Sequence, residues 1–408
     1  MPKSDTLQKY GAPLYAIEWF NSIGYMCGGG NMGIENKCVF VGSCPVYKSS
    51  RTDTRAGDSK LTEEVAKFNV GQDAPYRMKM HPSGKSMVIS LATGGIKVIQ
   101  ITTKDNEALP VLSWPSPSVM SAAEKCSSFL GVIKCMSFSS DGTLLALGTE
   151  DGKVHIISWP TLKRQGELDV SKDRRKAVRN VDFSSAHSDG VVLAVDESGS
   201  CSLWNVEDMQ MLCLLEKPSD IPRLSLFRCV STIDHKGIAL YAAGNSKGNG
   251  YIVRWRQTDD GALTLDCVRK VVACPISGFE LSHNGAKIAV VTPDADQCLV
   301  STESLKTEKH VKGAHMTFAT AVAFTPDDSA IVSVSADASA TLTNVSQERA
   351  FGSISALILL VCFVTLMAVL IHVSRQYIES YPDIVLYMID YLPEWAQQAL
   401  QSQAKHAG

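Results

Sequence analysis

A strand–turn outline that recurs every 43 to 45 residues predicts an all-β, seven-bladed β-propeller, and a largely apolar stretch of 20 residues near the C-terminus predicts one transmembrane helix after it. A third feature falls in the first blade. Gly28, Gly29, Gly30 and Gly33 put four glycines into six positions between the apolar runs 23–27 and 38–41. Glycine loses the most backbone entropy on ordering and packs nothing, so this segment is neither helix nor strand. It stands where a short hairpin turn belongs.

The outline is clearest over 138–159. A strand from Phe138 reaches the turn at Asp141-Gly142, a second runs to Gly148, Asp151-Gly152 turns again, and a third ends at Trp159. Weaker copies pass through Met80, Phe183, Phe227, Leu281 and Phe324. Phe138, Phe183 and Phe227 are 45 and 44 residues apart, and Leu281 and Phe324 are 43 apart. Four short strands at that period are the signature of propeller blades. With a unit around 16–41, the count is seven blades within a domain assigned to 1–347. The last copy ends at 341–345 with little room for a fourth strand. The early segment 10–15 is therefore expected to complete that blade, closing the ring and removing a free sheet edge.

Three connections read as solvated excursions. One is 47–64, charged and rich in Ser and Thr; another is 103–128, with Pro110, Pro115 and Pro117. The third is the basic run 163–179, where Lys172, Arg174, Arg175 and Lys176 alternate with Glu167, Asp169 and Asp173.

The segment 354–373 carries no charged side chain unless His372 is protonated. As a helix it would span about 30 Å, the hydrocarbon thickness of a bilayer, and it is apolar all round where a buried core helix shows a polar face. It is expected to leave 374–408 as a short lumenal tail. The sequon Asn344-Val345-Ser346 is then on the cytosolic side and unmodified.

Composition narrows the function classes. With 45% hydrophobic and 20% charged residues among 408, the chain reads as folded. A net charge of -3 gives no pull towards nucleic acid. Twelve cysteines are scattered through apolar strands without a CxxC pair, and the first 13 residues lack the apolar core of a secretion signal. The thiols are expected to be reduced, buried and cytosolic, with no zinc site. Nor is a catalytic constellation visible: the nine histidines are dispersed, and neither a GxSxG elbow nor a GxxxxGK[ST] phosphate loop occurs. The glycine cluster is superficially like a dinucleotide-binding turn. However, the strand-like 38–41 follows it, so no helix N-terminus is present to receive a phosphate.

Propeller, single span and the segment Asn31-Met32-Gly33-Ile34-Glu35-Asn36-Lys37 together resemble the Sec-twelve family of endoplasmic-reticulum membrane proteins. The resemblance implies a WD-repeat-like propeller in the cytosol, anchored by one span in the endoplasmic-reticulum membrane. It also implies a function: guanine-nucleotide exchange on a Sar-type small GTPase, which starts COPII vesicle formation and ER–Golgi protein transport. In that family the glycine-rich loop of the first blade holds a potassium ion and contacts the GTPase. By residue match Ile34 and Asn36 inherit the GTPase-contacting positions, and Gly28, Gly29, Gly30, Asn31 and Gly33 belong to the cation loop. Glu35 departs from the family pattern, which has proline there.

Exchange needs no acid, base or nucleophile, only tighter binding of the empty GTPase than of the nucleotide-bound one. The chain is thus expected not to be an enzyme in the covalent sense, and to act on no small-molecule substrate. Glycines let backbone carbonyls converge on a hard cation, and Ile34 is the natural apolar wedge on a polar loop. The alternative is a non-catalytic membrane-anchored adaptor that assists export of cargo membrane proteins from the endoplasmic reticulum.

Overall fold

Seven four-stranded antiparallel sheets account for residues 7 to 345. The computed structural model describes residues 7–21, 23–30, 34–41, 64–102, 110–171, 176–187, 190–345, 351–380 and 392–394. Blades 1 to 6 occupy 14–69, 75–113, 133–169, 178–214, 225–272 and 278–311, and in each the chain passes through the four strands in order from the axis outward. Blade 7 takes three strands from 319–344 and its outermost from Leu7–Lys9.

The residue types follow from position in the blade. Second strands are covered on both faces by neighbouring blades, so Val191–Asp196 and Ala330–Ser335 are almost entirely buried and read as unbroken apolar or small runs. Outer strands such as Lys163–Asp169 and Gln210–Leu214 are largely exposed. The turn between first and second strands is built by an acidic or amide side chain. Asp141 Oδ1 accepts the Thr143 N–H at 2.9 Å and the Ser139 hydroxyl at 2.6 Å, while Gly142 takes a φ of +74°. Asn284 and Asp327 repeat the device. These turns also join blades. His81 Nε2 lies 3.0 Å from Gly142 O in the next blade and stacks on Trp159. His283 Nδ1 lies 2.9 Å from Asp328 Oδ1.

The ring is closed by the N-terminal strand, a few residues earlier than the 10–15 segment expected for it. Leu7, Gln8 and Lys9 pair with Thr341, Ala340 and Ser339. Tyr10 is buried and its N–H donates to Ala338 O at 2.8 Å, and Leu14–Phe20 already forms the inner strand of blade 1. Across the same seam the Thr320 hydroxyl donates to Leu14 O at 2.7 Å.

Two of the expected excursions are structured. Within 103–128, Val111–Ser113 is the outer strand of blade 2 and Pro117–Ser127 is an α-helix. Pro117 sits in its first turn, where no N–H is needed, and Ala123 and Cys126 enter the core shared with Ile133 and Leu145. Within 163–179, Lys163–Asp169 is an outer strand and Arg179 belongs to the inner strand of blade 4. Alternating charge disguised both, because an outer strand has one wet face and an axial channel can hold charge. Lys172, Arg174 and Arg175 lie outside the described residues, as do 47–63.

The second unit, Ser346–Gly408, contains the helix Phe351–Ser380. Its side chains are described continuously over 360–373, all exposed, and that stretch rises about 21 Å as a helix. Among the described residues no helix is long and apolar enough to cross a membrane.

Candidate functional site: the glycine loop of blade 1

The strands Ile23–Gly28 and Lys37–Val41 pair in the register Cys27↔Cys38 and Gly28↔Lys37, so the residues between them form the connection. The strand expected at 38–41 is present, which leaves the glycines without a following helix. Gly28 is dictated by proximity: a β-carbon there would lie 1.9 Å from Pro13 O. The Gly29 N–H donates to that same carbonyl at 2.9 Å. Gly29 has a φ of +154°, and a β-carbon on it would meet Asn36 Oδ1 at 2.4 Å. Gly30 lies under Ile34, whose Cδ1 would be 3.2 Å from an added β-carbon. Asn31, Met32 and Gly33 lie outside the described residues.

Ile34 and Asn36 face opposite environments. Ile34 is 42% exposed, a large apolar side chain left in solvent. Asn36 is 7% exposed and turned inward. Its Nδ2 donates to Gly71 O at 3.1 Å, and its backbone carbonyl accepts the Val70 N–H at 3.3 Å. Its Oδ1 is buried without a hydrogen-bond partner. Pro13 immediately precedes the inner strand of blade 1, and Gly71 lies four residues before that of blade 2. The loop is therefore bound to the face of the propeller from which the inner strands start.

Glu35 is held at the loop's flank. Its carboxylate lies 3.4 Å from Lys67 Nζ and 3.7 Å from Lys37 Nζ, and Asn69 Nδ2 donates to it at 3.5 Å. These are partly exposed contacts of the kind worth about 0–1 kcal/mol each. The platform beneath was not legible in the sequence. Lys97 Nζ donates to Val70 O at 2.6 Å and sits 5.3 Å above the Trp114 ring, which packs edge-on to Phe68. Residues 32 to 78 positions beyond Asn36 supply these groups, and only the ring arrangement unites them.

The thiols at the loop's root are inert. Burial pushes Cys38 up to about 12 and raises Cys27 well above the ordinary thiol value, and Cys38 Sγ rests 3.7 Å from Met87 Sδ. The described cysteines are all free, and among the described residues no His, Cys, Asp or Glu cluster could hold a metal ion. A potassium site of oxygen dipoles would need none. The orphaned, buried Asn36 Oδ1 fits such a cation, since an unpaired acceptor in a dry position costs about 1–3 kcal/mol until something positive meets it.

The family model for the WD domain, G-beta repeat, matches residues 125–158, the stretch that carries the two Asp-Gly turns. SEC12-like protein 2 of Arabidopsis thaliana is 27% identical over 305 residues, covering 71% of this chain and 70% of that protein. The chain is a homologue of the SEC12-like proteins. SEC12-like protein 1 of the same plant is 33% identical over 154 residues, which span 36% of this chain and 33% of its own length. The longer SEC12-like match cannot fit in one blade, so the likeness extends well beyond a single repeat.

Proposed function

We propose that this SEC12-like chain is a guanine-nucleotide exchange factor for a Sar-type small GTPase, and that it initiates COPII vesicle formation at the endoplasmic reticulum. The helix Phe351–Ser380 supplies the single span through the apolar segment 354–373, with the propeller in the cytosol. The observation that carries the reading is the division of labour in the blade 1 loop. Ile34 stands exposed while Asn36, two residues on, is buried and tied to Gly71 O. A loop fixed at its root and apolar at its surface can insert a side chain into a partner without first losing its own conformational freedom, about 1–2 kcal/mol per residue.

In this reading Ile34 makes the apolar contact with the GTPase, and Asn36 sets the loop's shape. Gly28 and Gly29 allow the loop to lie against Pro13. Potassium, when bound, would supply the positive charge that draws loop carbonyls together. Asn36 Oδ1 and the carbonyls of the Gly28–Asn36 segment would hold it.

The second reading, a membrane adaptor for cargo export without exchange activity, is favoured by Glu35. Its carboxylate, paired with Lys67 and Lys37, replaces the stiff proline of the family pattern. The deciding experiment measures nucleotide release from purified Sar GTPase with the full-length chain in neutral detergent, in potassium and then in sodium buffer. Acceleration, greater in potassium, is the expected result. No acceleration in either buffer would exclude exchange and leave the adaptor.

A further inference from the structure

The inner strands enclose an axial channel of about 280 Å³. In six of the seven blades the first strand slips register near its start, at the second residue in five and at the third, Phe227, in blade 5; two of the slipped residues are Lys134 and Arg179, in neighbouring blades. Such a bulge re-aims side chains. One residue further along, Arg77 and Arg228 also line the channel. Two residues beyond these comes a mixed tier. There Lys79 Nζ lies 3.0 Å from Glu18 Oε1, and Glu280, paired at 2.7 Å with Arg228, faces inward.

Charge is unbalanced between the tiers. Five cationic side chains line the channel against two carboxylates, Glu18 and Glu280, and each of those is already engaged. Asp182 lies behind them, accepting from the Ser137 hydroxyl at 2.8 Å, and burial pushes its carboxyl up. Among the described residues no carboxylate pairs with Arg77, Lys134 or Arg179. Arg77 Nε donates to Lys134 O at 3.0 Å and Arg179 to the Ser225 hydroxyl at 3.3 Å. Arg228 Nε is buried with no acceptor at all. Like charges held this close repel, and low-dielectric walls, here including Tyr15 and Phe227, focus their field on whatever enters.

We infer that the mouth of the channel, on the face that carries the blade 1 loop, is a binding site for a small multivalent phosphate anion held by Arg77, Lys134, Arg179 and Arg228. Guanidinium forks match phosphate oxygens two at a time, and the enclosed volume suits a small polyphosphate rather than a folded-out peptide. The carboxylates of the deeper tier stop the anion near the mouth. The site is separate from the contact proposed for Ile34, and neither depends on the other.

Calorimetric titration of the full-length chain in neutral detergent with pyrophosphate, at ionic strength held constant with sodium chloride, tests this. Saturable binding is expected. Lys134→Gln and Arg179→Gln, neither of them a buried side chain, should each weaken it about tenfold, as loss of a charge-assisted hydrogen bond does. Lys287→Gln, whose partner is Glu308 away from the channel, should not. In the unaltered chain, pyrophosphate should also slow phenylglyoxal modification of Arg179. The inference is overturned by absence of saturable binding, by undiminished binding in the Lys134→Gln/Arg179→Gln double variant, or by unchanged Arg179 modification. Binding of a hexaglutamate peptide in place of pyrophosphate would also overturn it, marking the mouth as a protein-docking surface.

Discussion

Gly29 and Asn36 touch across the root of the blade 1 loop so closely that a β-carbon on Gly29 would stand 2.4 Å from Asn36 Oδ1 and 2.7 Å from Asn36 Cα. The glycine is therefore required twice, by its φ of +154° and by the amide that lies over it. Gly29→Ala is expected to destabilise the propeller by about 2–3 kcal/mol through backbone strain and displacement of Asn36. Urea denaturation gives the figure. A change under 0.5 kcal/mol (about the spread of neutral surface substitutions) would show that the loop root relaxes freely.

Asn36→Ala separates shape from ion binding. It loses the bond to Gly71 O, worth about 1 kcal/mol, but also removes an orphaned acceptor, so stability in sodium buffer should change little. A ligand that binds only the folded state raises its melting temperature. The unaltered chain should melt higher in potassium than in sodium, and Asn36→Ala should lose that difference. Equal potassium responses in the two proteins would remove Asn36 Oδ1 from the cation site.

Ile34→Ala removes an exposed side chain and should leave the unfolding midpoint unchanged. If the exchange reading holds, it should nonetheless reduce nucleotide release from Sar GTPase at least about tenfold, the scale of a buried apolar anchor at an interface. Full exchange activity in this variant would show that the loop contacts nothing through Ile34.

Removal of residues 1–9 opens the ring. It strips the pairing of Leu7, Gln8 and Lys9 from Thr341, Ala340 and Ser339 and exposes the edge of blade 7. A loss of about 3 kcal/mol is expected from the ladder alone, with concentration-dependent aggregation from the bared edge. Light scattering during a thermal melt reads both, and an unchanged melt would show that closure adds nothing to stability.

His315 gives stability a pH dependence. It is buried, with Nδ1 2.7 Å from the Ser339 hydroxyl and Nε2 2.5 Å from that of Ser333, and burial pulls it down to about 4 despite the Asp337 charge. Between 4 and its ordinary 6.5 the unfolded chain binds a proton that the folded chain refuses. The stabilisation is thus complete above about pH 6.5 and is lost as pH falls towards 4, amounting to about 2–3 kcal/mol at pH 4.5. Denaturant unfolding at pH 7.5 and 4.5 should differ by that much more in the parent chain than in His315→Gln.

Much of this molecule was legible in the chain. Asp-Gly turns and recurring aromatic anchors set the blade period, because those residues act within a few positions of themselves. The glycines at 28–30 announced an irregular connection for the same local reason. Tertiary structure decided the rest. That Leu7–Lys9 rather than 10–15 closes the ring depends on pairing with a strand more than 300 residues away. The helix 117–127 and the inner-strand place of Arg179 were hidden because partly exposed strands, helices and loops share one polar composition. Nor does any spacing in the sequence bring Gly71, Lys97 and Trp114 under the loop, or collect Arg77, Lys134, Arg179 and Arg228 around one axis. Local chemistry determined what each segment is, while ring closure decided which segments meet, since contacts between blades join residues whose separation carries no periodic mark.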